Sequence, residues 1–297
     1  MIDGNGPGRI GLVVHPTRAV DGALATLERW AAQHDVGLVQ LAIDGGRRPQ
    51  VAPLGELEPG DLVVALGGDG TVLTALRATA ATDAPVLGVA CGSLGALSAV
   101  SAAELAGALD RLRAGDWTAR SLPVLTVRAP DAPDDWAVND FVVVRRGAGQ
   151  IVVELSVDDE LYVRLAGDGV IVATPIGSSA YSMAAGGPVL AAHTPAFLCT
   201  PLAMHGGSAP PLVVPGAATV AVDVHPGYAG FDVEIDGHRR PVEARSFQLT
   251  LQADKFDLVT FTASGSGLRG LRQRGLIADS PRTLVRDERA RLTPKRP

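Results

Sequence analysis

The order of apolar and polar positions divides the chain into two regions. In the first 120 residues, short and almost continuous apolar runs alternate with segments in which leucines recur every three or four positions. Continuous runs are typical of strands buried on both faces, and the wider spacing predicts amphipathic helices. The predicted strands cover 9–14, 36–43, 61–66 and 85–89, and the predicted helices cover 19–34 and 102–114. This alternation predicts a mostly parallel sheet.

From residue 121 onward, short segments rich in Val, Ile, Leu and Thr are separated by Gly, Pro and Asp. Such segments predict the strands of antiparallel, sandwich-like sheets. The predicted strands cover 124–128, 137–145, 151–157, 162–165, 170–174, 211–214, 219–224, 233–235, 247–251 and 258–263. We therefore predict an α/β N-terminal domain with a mostly parallel sheet, followed by an all-β, sandwich-like C-terminal domain. The expected ranges are 1–122, 123–264 and a basic C-terminal tail over 265–297.

Composition narrows the class of protein. The 297 residues are 46% hydrophobic, but no apolar run is long enough to span a membrane. The start of the chain lacks the basic and apolar regions of a signal peptide, so we expect a cytoplasmic protein. The two cysteines, Cys91 and Cys199, fit no metal-binding spacing and suit free thiols in a reducing compartment. A net charge of −6 argues against general nucleic-acid binding.

The most informative segment is the glycine-rich run Leu66–Thr71, which joins the predicted strand 61–66 to the start of a predicted helix. Such a turn presents backbone N–H groups and a helix dipole to a ligand, which suits phosphate. A carboxylate repels a bound phosphate unless a metal or a proton transfer explains its presence. Asp69 therefore indicates phosphoryl transfer, in which it would act as a base or a metal-linked acid. The chain has only two lysines, Lys255 and Lys295, so phosphate here must be held by backbone N–H groups, a metal or an arginine.

Further motifs lie in the β-rich half. Asn139 and Asp140 stand at a predicted strand start, where an amide and a carboxylate can bind an adenine edge and a ribose diol. The segment 174–188 follows a strand end with small, hydroxyl-bearing residues and glycines, which permit close approach of a planar ligand. Asp168 and Asp236 are each followed by glycine, which is typical of a hairpin turn, and of the two we assign only Asp168 to the site.

In order and spacing, these motifs resemble the NAD kinase family over roughly residues 9–275. The Gly-Gly-Asp-Gly element alone also resembles lipid kinases and phosphofructokinases, whereas the segment 174–188 is much more specific. The resemblance implies transfer of the γ-phosphoryl group of ATP, with Mg²⁺, to the 2′-hydroxyl of the adenosine ribose of NAD, which yields NADP. We expect a homodimer or homotetramer.

The resemblance also implies roles for individual residues and leaves the metal ligands unassigned. Asp69 matches the aspartate that activates the acceptor hydroxyl, and Asp168 matches an aspartate near the nicotinamide end. The phosphate-facing turn corresponds to Gly67, Gly68, Gly70 and Thr71. The residues that hold and line the dinucleotide correspond to Asn139, Asp140, Ser179, Ala180 and Tyr181.

Several positions depart from the family pattern, including Gly206, Gly207 and Pro210 in the segment after His205, where an arginine is common. Asp140 stands where the family has Glu, which is one methylene longer. Ile176 replaces a hydroxyl residue, Ala96 replaces an aromatic residue, and Ala90 stands where Asn or another polar residue is common. A small-to-large change paired with a large-to-small change predicts a reshaped cavity of similar volume. Ala96 and Ile176 are therefore the candidates for acceptor specificity.

These departures leave alternatives open. One is a kinase of the same fold that phosphorylates a nucleoside or another ribose-bearing acceptor, and another is a dinucleotide sensor without chemistry. Polyphosphate is an alternative donor. Among single residues, Asp69 could simply cap the following helix, and His205 suits a hydrogen-bonded structural role. The segment 265–270 matches the G-x-G-x-x-G dinucleotide motif but opens no βαβ unit, so we expect no site there.

Overall fold

The computed structural model describes residues 6–43, 49–130, 132–241, 243–261 and 268–283. The strands are β1 (Arg9–Val14), β2 (Gly37–Leu41), β3 (Leu54–Gly55), β4 (Leu62–Gly67), β5 (Val86–Ala90), β6 (Val100–Ser101), β7 (Thr118–Arg128), β8 (Asp135–Ala137), β9 (Asp140–Arg145), β10 (Ile151–Val157), β11 (Glu160–Gly167), β12 (Gly169–Ala173), β13 (Ala196–Leu202), β14 (Leu212–Pro215), β15 (Thr219–His225), β16 (Phe231–Ile235), β17 (His238–Arg240) and β18 (Ser246–Thr260). The helices are α1 (Asp21–His34), α2 (Asp69–Ala78), α3 (Leu105–Arg113), α4 (Tyr181–Ala184) and α5 (Leu268–Gln273), with 3₁₀ turns at Ala102–Glu104 and Gly177–Ser179. None of these described helices has the length and apolar character needed to cross a membrane.

The parallel part of the fold has the strand order β3-β2-β1-β4-β5 and forms one end of a twelve-stranded sheet. Successive side chains of these strands point to opposite faces, and each face carries its own apolar cluster. On one face, Leu27 of α1 and Leu109 of α3 belong to the cluster that contains Val64. On the other, Leu76 of α2 belongs to the cluster that contains Val63. The carboxyl ends of β4 and β5 open beside the start of α2, where sheets of this kind bind ligands.

The antiparallel half is a two-layer sandwich. One layer is the six-stranded sheet β14-β13-β12-β9-β16-β17, and the other is the remaining end of the larger sheet, β11-β10-β15-β18. Phe141, Phe197 and Phe247 are buried in the apolar cluster between the two layers. A mostly parallel α/β half followed by an antiparallel sandwich confirms the predicted fold class.

Two long strands join the halves. β7 and β18 pair along most of their lengths, and the far end of β18 lies parallel to β5 through Leu258 and Val86. The predicted boundary between Leu122 and Pro123 falls inside β7, which is continuous, so the division of the chain at that point stays a prediction. Of the predicted tail, 268–283 is described and contains α5, while 265–267 and 284–297 lie outside the described residues.

Three sequence-based expectations about strands were wrong. The segments 247–251 and 258–263 were predicted as separate strands, but up to Thr260 they form the single strand β18, because a bulge accommodates the polar residues between them. The predicted strand 137–145 is interrupted for two residues before Asp140. Strand β13 was not among the predicted strands, and its sequence contains Pro201. That residue lies beyond the pairing with β14, where the missing N–H breaks no bond of that ladder.

Candidate active site

The glycine-rich turn, residues 67–71, connects β4 to α2. Gly67 ends β4, Gly68 is the N-cap, and the helix begins at Asp69 with Gly70 exposed behind it. The Thr71 side chain folds back over Gly67, where a Cβ would lie only 2.2 Å from the Thr71 Oγ1, so glycine is required there. That hydroxyl is buried and has no hydrogen-bond partner among the described residues. The leading N–H groups of α2 face out of the helix end, as in anion sites.

The carboxylate of Asp69 reaches across to the loop that follows β5 and makes no side-chain cap to its own helix. Its Oδ2 accepts the N–H of Ala96 at 2.8 Å, and its Oδ1 accepts the N–H of Leu97 at 3.0 Å. Gly95 makes room for this contact, because a Cβ there would lie 1.9 Å from Oδ1. Each carboxylate oxygen has two acceptor positions, so both can also receive a hydrogen bond from a substrate hydroxyl.

A cation lies beside this carboxylate. Arg120 of β7 donates from Nη2 to the backbone oxygen of Ala96 at 3.2 Å, and its Nε is buried without a partner among the described residues. Burial lowers the pKa of Arg120, and the negative charge of Asp69 opposes that shift. The carboxylate of Asp69 thus binds the N–H groups of this loop, and the guanidinium of Arg120 binds one of its carbonyl groups.

A second set of residues forms what we call the buried corner: 138–140, 174–178 and Asp236. Asp236, at the turn between β16 and β17, accepts the N–H of Asn139 at 2.7 Å and of Asp140 at 3.3 Å through Oδ1. Its Oδ2 accepts the N–H of Val138 at 3.1 Å, and its own N–H donates to the backbone oxygen of Asp140 at 3.0 Å. These bonds explain the break between β8 and β9, since the side chain of Asp236 takes the N–H groups there.

Arg77 connects the buried corner to the glycine-rich turn. From the last turn of α2 it donates through Nη2 to Asp236 at 3.2 Å and through Nη1 to Asp135 at 2.9 Å. Asp69 and Arg77 are eight positions apart on this helix, which is about 12 Å along its axis. One rigid helix therefore carries the glycine-rich turn at its start and supports the buried corner near its end.

Asp140 is the buried acid of the corner. Only 5% of the residue is exposed, and burial, followed by the negative charges of Asp236 and Glu234, raises the pKa of Asp140 to about 7. Near neutral pH both its protonated and its ionised forms are therefore present. The ionised form is the better acceptor for a pair of ribose hydroxyls.

The segment that follows β12 packs directly against Asn139. The Oγ1 of Thr174 donates to the backbone oxygen of Val138 at 2.6 Å, and the N–H of Thr174 donates to the backbone oxygen of Asn139 at 2.9 Å. At Gly177 a Cβ would lie 1.9 Å from that same oxygen of Asn139, so the close approach requires glycine. The two sequence motifs of the β-rich half thus form one unit.

Ser179, Ala180 and Tyr181 follow at the edge of this unit. The hydroxyl of Ser179 donates to the backbone oxygen of Ile176 at 3.1 Å, whereas Ala180 and Tyr181 are exposed. Ile176 itself packs against the apolar cluster around α2. Position 176 therefore contributes to the contact between the buried corner and the α/β half, in addition to any role in binding.

Asp168 lies apart from the other predicted site residues. It precedes β12 and Thr174 follows it, so about 20 Å of extended strand separates them. Its carboxylate pairs with Arg145 at 2.5 Å, and the Nε2 of His205 is 4.0 Å away. The Nδ1 of His205 is 3.0 Å from the Oε1 of Gln150. Within one chain the structure does not bring Asp168 to the buried corner, and its contact with the nicotinamide end stays a prediction.

The sequence pattern did not assign Asp236, Arg77 or Arg120 to the site. The signal at Asp236 was an Asp-Gly pair, which a hairpin explains equally well. Arg77 and Arg120 occupy positions on a helix and a strand where arginine needs no special reason. Their roles follow only from the contacts that the folded chain creates.

Two family models match this chain. The ATP-NAD kinase N-terminal domain matches residues 58–117, and the ATP-NAD kinase C-terminal domain matches residues 138–249. Together they cover more than half of the chain and include both the glycine-rich turn and the buried corner. The chain belongs to the NAD kinase family. This confirms the family that the sequence motifs predicted.

Known NAD kinases show the same relationship. The chain is 38% identical over 182 residues to the NAD kinase of Heliobacterium modesticaldum. The aligned region covers 60% of this chain and 64% of the relative. It is 33% identical over 224 residues to the NAD kinase of Bifidobacterium longum subsp. infantis, which covers 73% of this chain and 66% of the relative. The match therefore spans slightly less than two thirds of the length of these relatives.

Solved structures with an NAD kinase fold resemble the chain over most of its length. Yeast NADH kinase complexed with NADH superimposes with a TM-score of 0.77 at 21% identity, covering 93% of this chain and 89% of that one. An NAD kinase from Archaeoglobus fulgidus in complex with ATP gives a TM-score of 0.70 at 23% identity, covering 91% and 100%. The shared feature at these identities is the fold.

Proposed function

We propose that this protein transfers the γ-phosphoryl group of ATP to the 2′-hydroxyl of the adenosine ribose of NAD and so forms NADP. The observation that carries the proposal is the placement of α2. Its start holds Asp69 at the glycine-rich turn, and its last turn supports Asn139 and Asp140 through the contact of Arg77 with Asp236. A phosphoryl donor bound at the glycine-rich turn and a ribosyl acceptor bound at the buried corner would come together beside this helix.

The proposed step transfers one proton and one phosphoryl group. The acceptor oxygen forms a bond to the γ-phosphorus, the bond from that phosphorus to the bridging oxygen of ADP breaks, and the hydroxyl proton passes to Asp69. The N–H groups of Ala96 and Leu97 hold the Asp69 carboxylate in one orientation, which prepares it to accept the proton. The N–H groups at the start of α2 stabilise the phosphate oxygens.

The acceptor is held by the buried corner in this proposal. The ionised carboxylate of Asp140 accepts hydrogen bonds from ribose hydroxyls, and the amide of Asn139 pairs with the adenine edge. Asp236 fixes both residues by binding their backbone N–H groups. The exposed ring of Tyr181 offers a face for the dinucleotide.

Mg²⁺ enters the proposal together with the donor. The described residues contain no group of three or more His, Cys, Asp or Glu side chains that could enclose a metal. Mg²⁺ is commonly bound by one or two carboxylates together with substrate phosphates, and Asp69 at the phosphate end of the site fits that smaller requirement. When bound, Mg²⁺ neutralises charge on the phosphate oxygens.

Two further parts of the proposal rest on family resemblance and composition alone. They are a homodimeric or homotetrameric assembly and a cytoplasmic location. Size-exclusion chromatography with light scattering on the full chain tests the first, and fractionation of cells that produce the protein tests the second.

A binding panel followed by a turnover assay tests the proposed reaction. We expect NAD and ATP with Mg²⁺ to raise the melting temperature, and an NADP-specific dehydrogenase to detect NADP after incubation with both. Strong stabilisation by a nucleoside with none by NAD would instead indicate a kinase for another ribose-bearing acceptor. Binding of NAD without ATP consumption would indicate a sensor. Repeating the assay with polyphosphate in place of ATP decides the donor.

A further inference from the structure

The side chain of Arg18 lies next to the glycine-rich turn, close to Gly68. The residue stands in the loop between β1 and α1, and its side chain is exposed. A Cβ at Gly68 would lie 3.1 Å from its Nη1, and a Cβ at Gly92 would lie 3.3 Å from the same nitrogen. The guanidinium therefore lies between the two glycine-containing segments that follow β4 and β5.

His15 fixes the backbone of this loop. Its Nδ1 accepts the N–H of Thr17 at 3.1 Å and of Arg18 at 2.9 Å. Its own backbone N–H donates to the backbone oxygen of Leu66 at 2.9 Å, immediately before the glycine-rich turn. These bonds fix the position of the Arg18 backbone relative to the glycine-rich turn.

Within the described part of the chain, no carboxylate pairs with the guanidinium of Arg18. Other arginines do have such partners, such as Arg77 with Asp135 at 2.9 Å. The carboxylate of Asp69, although it belongs to the same turn, is bound to the loop after β5. The charge of Arg18 does reach Cys91, where it partly opposes the rise in thiol pKa that burial causes. Arg18 therefore keeps its charge available at the turn.

The turn also contains a polar group that nothing in the described chain satisfies. Thr71 is 3% exposed, and its Oγ1 has no hydrogen-bond partner. A lysine does not fill this need, because Lys255 lies on β18 with its Nζ 5.7 Å from the ring centre of Phe256, and Lys295 lies outside the described residues. Because a buried hydroxyl without a partner costs free energy, a bound ligand that supplies one would be favoured.

We propose that Arg18 binds the terminal phosphates of the triphosphate donor and supplies the positive charge that a lysine provides in other phosphate-binding loops. This inference rests on the proposed function and adds the donor-side cation to it. A guanidinium can donate two parallel hydrogen bonds to one phosphate group. The N–H groups at the start of α2 would bind the same phosphates from the other side, which leaves Asp69 to accept the proton.

Cys91 provides a readout of donor binding that needs no turnover. Cys199 is fully buried and its thiol pKa is raised to about 12, so alkylation near pH 8.5 reports on Cys91. We expect ATP with Mg²⁺, and inorganic tripolyphosphate, each to slow the alkylation of Cys91 by iodoacetamide. Arg18→Ala should raise the concentration for half-maximal protection about tenfold or more, and Arg18→Lys about threefold.

Arg29→Ala is the matched control. Arg29 is exposed on α1, so the same loss of charge should leave half-maximal protection within about twofold of the wild type. Each variant is compared with its own rate without ligand, because Arg18 also affects the thiol of Cys91. In steady-state kinetics, Arg18→Ala should raise KM for ATP about tenfold and change KM for NAD less than twofold.

The outcomes separate this inference from the proposed function. If protection depends on Arg18 but no NADP is formed, the proposed acceptor is wrong and the donor site stands. If NADP is formed while Arg18→Ala keeps the wild-type KM for ATP and the wild-type protection, the role of Arg18 is wrong and the proposed function stands. Absence of protection by either probe in the wild-type chain would also overturn the role of Arg18.

Discussion

The buried corner and the glycine-rich turn are built in opposite ways. In the corner the polar groups bind one another, since Asp236 alone accepts three backbone N–H groups and contacts Arg77. At the turn, the Thr71 Oγ1 is buried without a partner in the described chain, and so are the Nε of Arg120 beside Asp69 and the Nε of Arg77 beside the corner. The carboxylate of Asp236 is satisfied by the chain itself, whereas the Thr71 hydroxyl would be stabilised by a ligand that supplies its missing partner. The acceptor side is therefore held mainly by contacts within the chain, and the donor side gains a contact when the donor binds.

The two regions also differ in charge. In the buried corner, burial and then the negative charges of Asp236 and Glu234 raise the pKa of Asp140. At the turn, Arg18 and Arg120 place positive charge around the single carboxylate of Asp69. Hydroxyl groups suit the first environment and phosphates suit the second, so each region matches the substrate proposed for it.

The largest expected effect comes from Asp69→Asn at the turn. The amide cannot accept a proton, so we expect kcat to fall at least about 10³-fold. An amide also has only one oxygen for the N–H groups of Ala96 and Leu97, so the free energy of unfolding should fall by about 1 kcal/mol. Steady-state kinetics and denaturant unfolding measure the two effects separately. Activity within tenfold of the wild type would refute the role of Asp69 as a base.

The next effect tests the buried corner through Asp236→Asn. The change removes the charge that pairs with Arg77 and weakens three backbone hydrogen bonds in a fully buried position. We expect a loss of about 3 kcal/mol in the free energy of unfolding, together with a raised KM for NAD and little change in KM for ATP.

Asp134→Asn is the control for this change. Asp134 pairs with Arg128 at the surface, where both side chains are more than half exposed, so its loss should cost less than about 0.5 kcal/mol. Equal losses for Asp134→Asn and Asp236→Asn would show that the corner is not held by Asp236. Urea unfolding of both variants at one pH decides between these outcomes.

The difference between the two regions also explains what the sequence could predict. The turn lies between a continuous apolar strand and an amphipathic helix, so local pattern located 67–71 and the parallel sheet around it. The corner depends on bonds between Asn139 and Asp236, which are 97 positions apart, and such contacts leave no periodic signal. Local pattern therefore predicted an unbroken strand over 137–145. For the same reason Arg77 and Arg120 could be assigned only from the fold.

A third prediction concerns the pH dependence of the corner. The pKa of Asp140 is raised to about 7 by burial and by Asp236 and Glu234, whereas an unfolded aspartate titrates near pH 4. Between these values the folded chain keeps a proton that the unfolded chain has lost. The free energy of unfolding should therefore fall as pH rises from about 4 to about 7, by a contribution of up to about 4 kcal/mol, and then level off.

Asp140→Asn isolates this contribution. The variant cannot ionise, so it should be more stable than the wild type at about pH 8 and lose that advantage near pH 4. The binding of NAD should improve over the pH range in which stability falls, because only the ionised Asp140 is a strong acceptor for ribose hydroxyls. KM for NAD in the wild type should fall as pH rises through about 7. A wild-type stability profile parallel to that of Asp140→Asn would contradict the raised pKa.

The smallest expected effect is the coupling between Ala96 and Ile176. Ala96 lies in the loop bound by Asp69 of the glycine-rich turn, and Ile176 lies in the buried corner. Ile176 packs against the apolar cluster that includes Leu97, the neighbour of Ala96, so both positions adjoin the same packing. Ile176→Thr alone should lose about 1 kcal/mol of stability, because it removes apolar contacts and adds a hydroxyl. Ala96→Phe adds the bulk that this change removes. We expect the double variant to exceed the product of the single effects on kcat/KM for NAD by about threefold, which corresponds to a coupling of about 0.7 kcal/mol. If the two effects simply multiply, positions 96 and 176 do not share a pocket wall, and their departure from the family pattern has no bearing on the choice of acceptor.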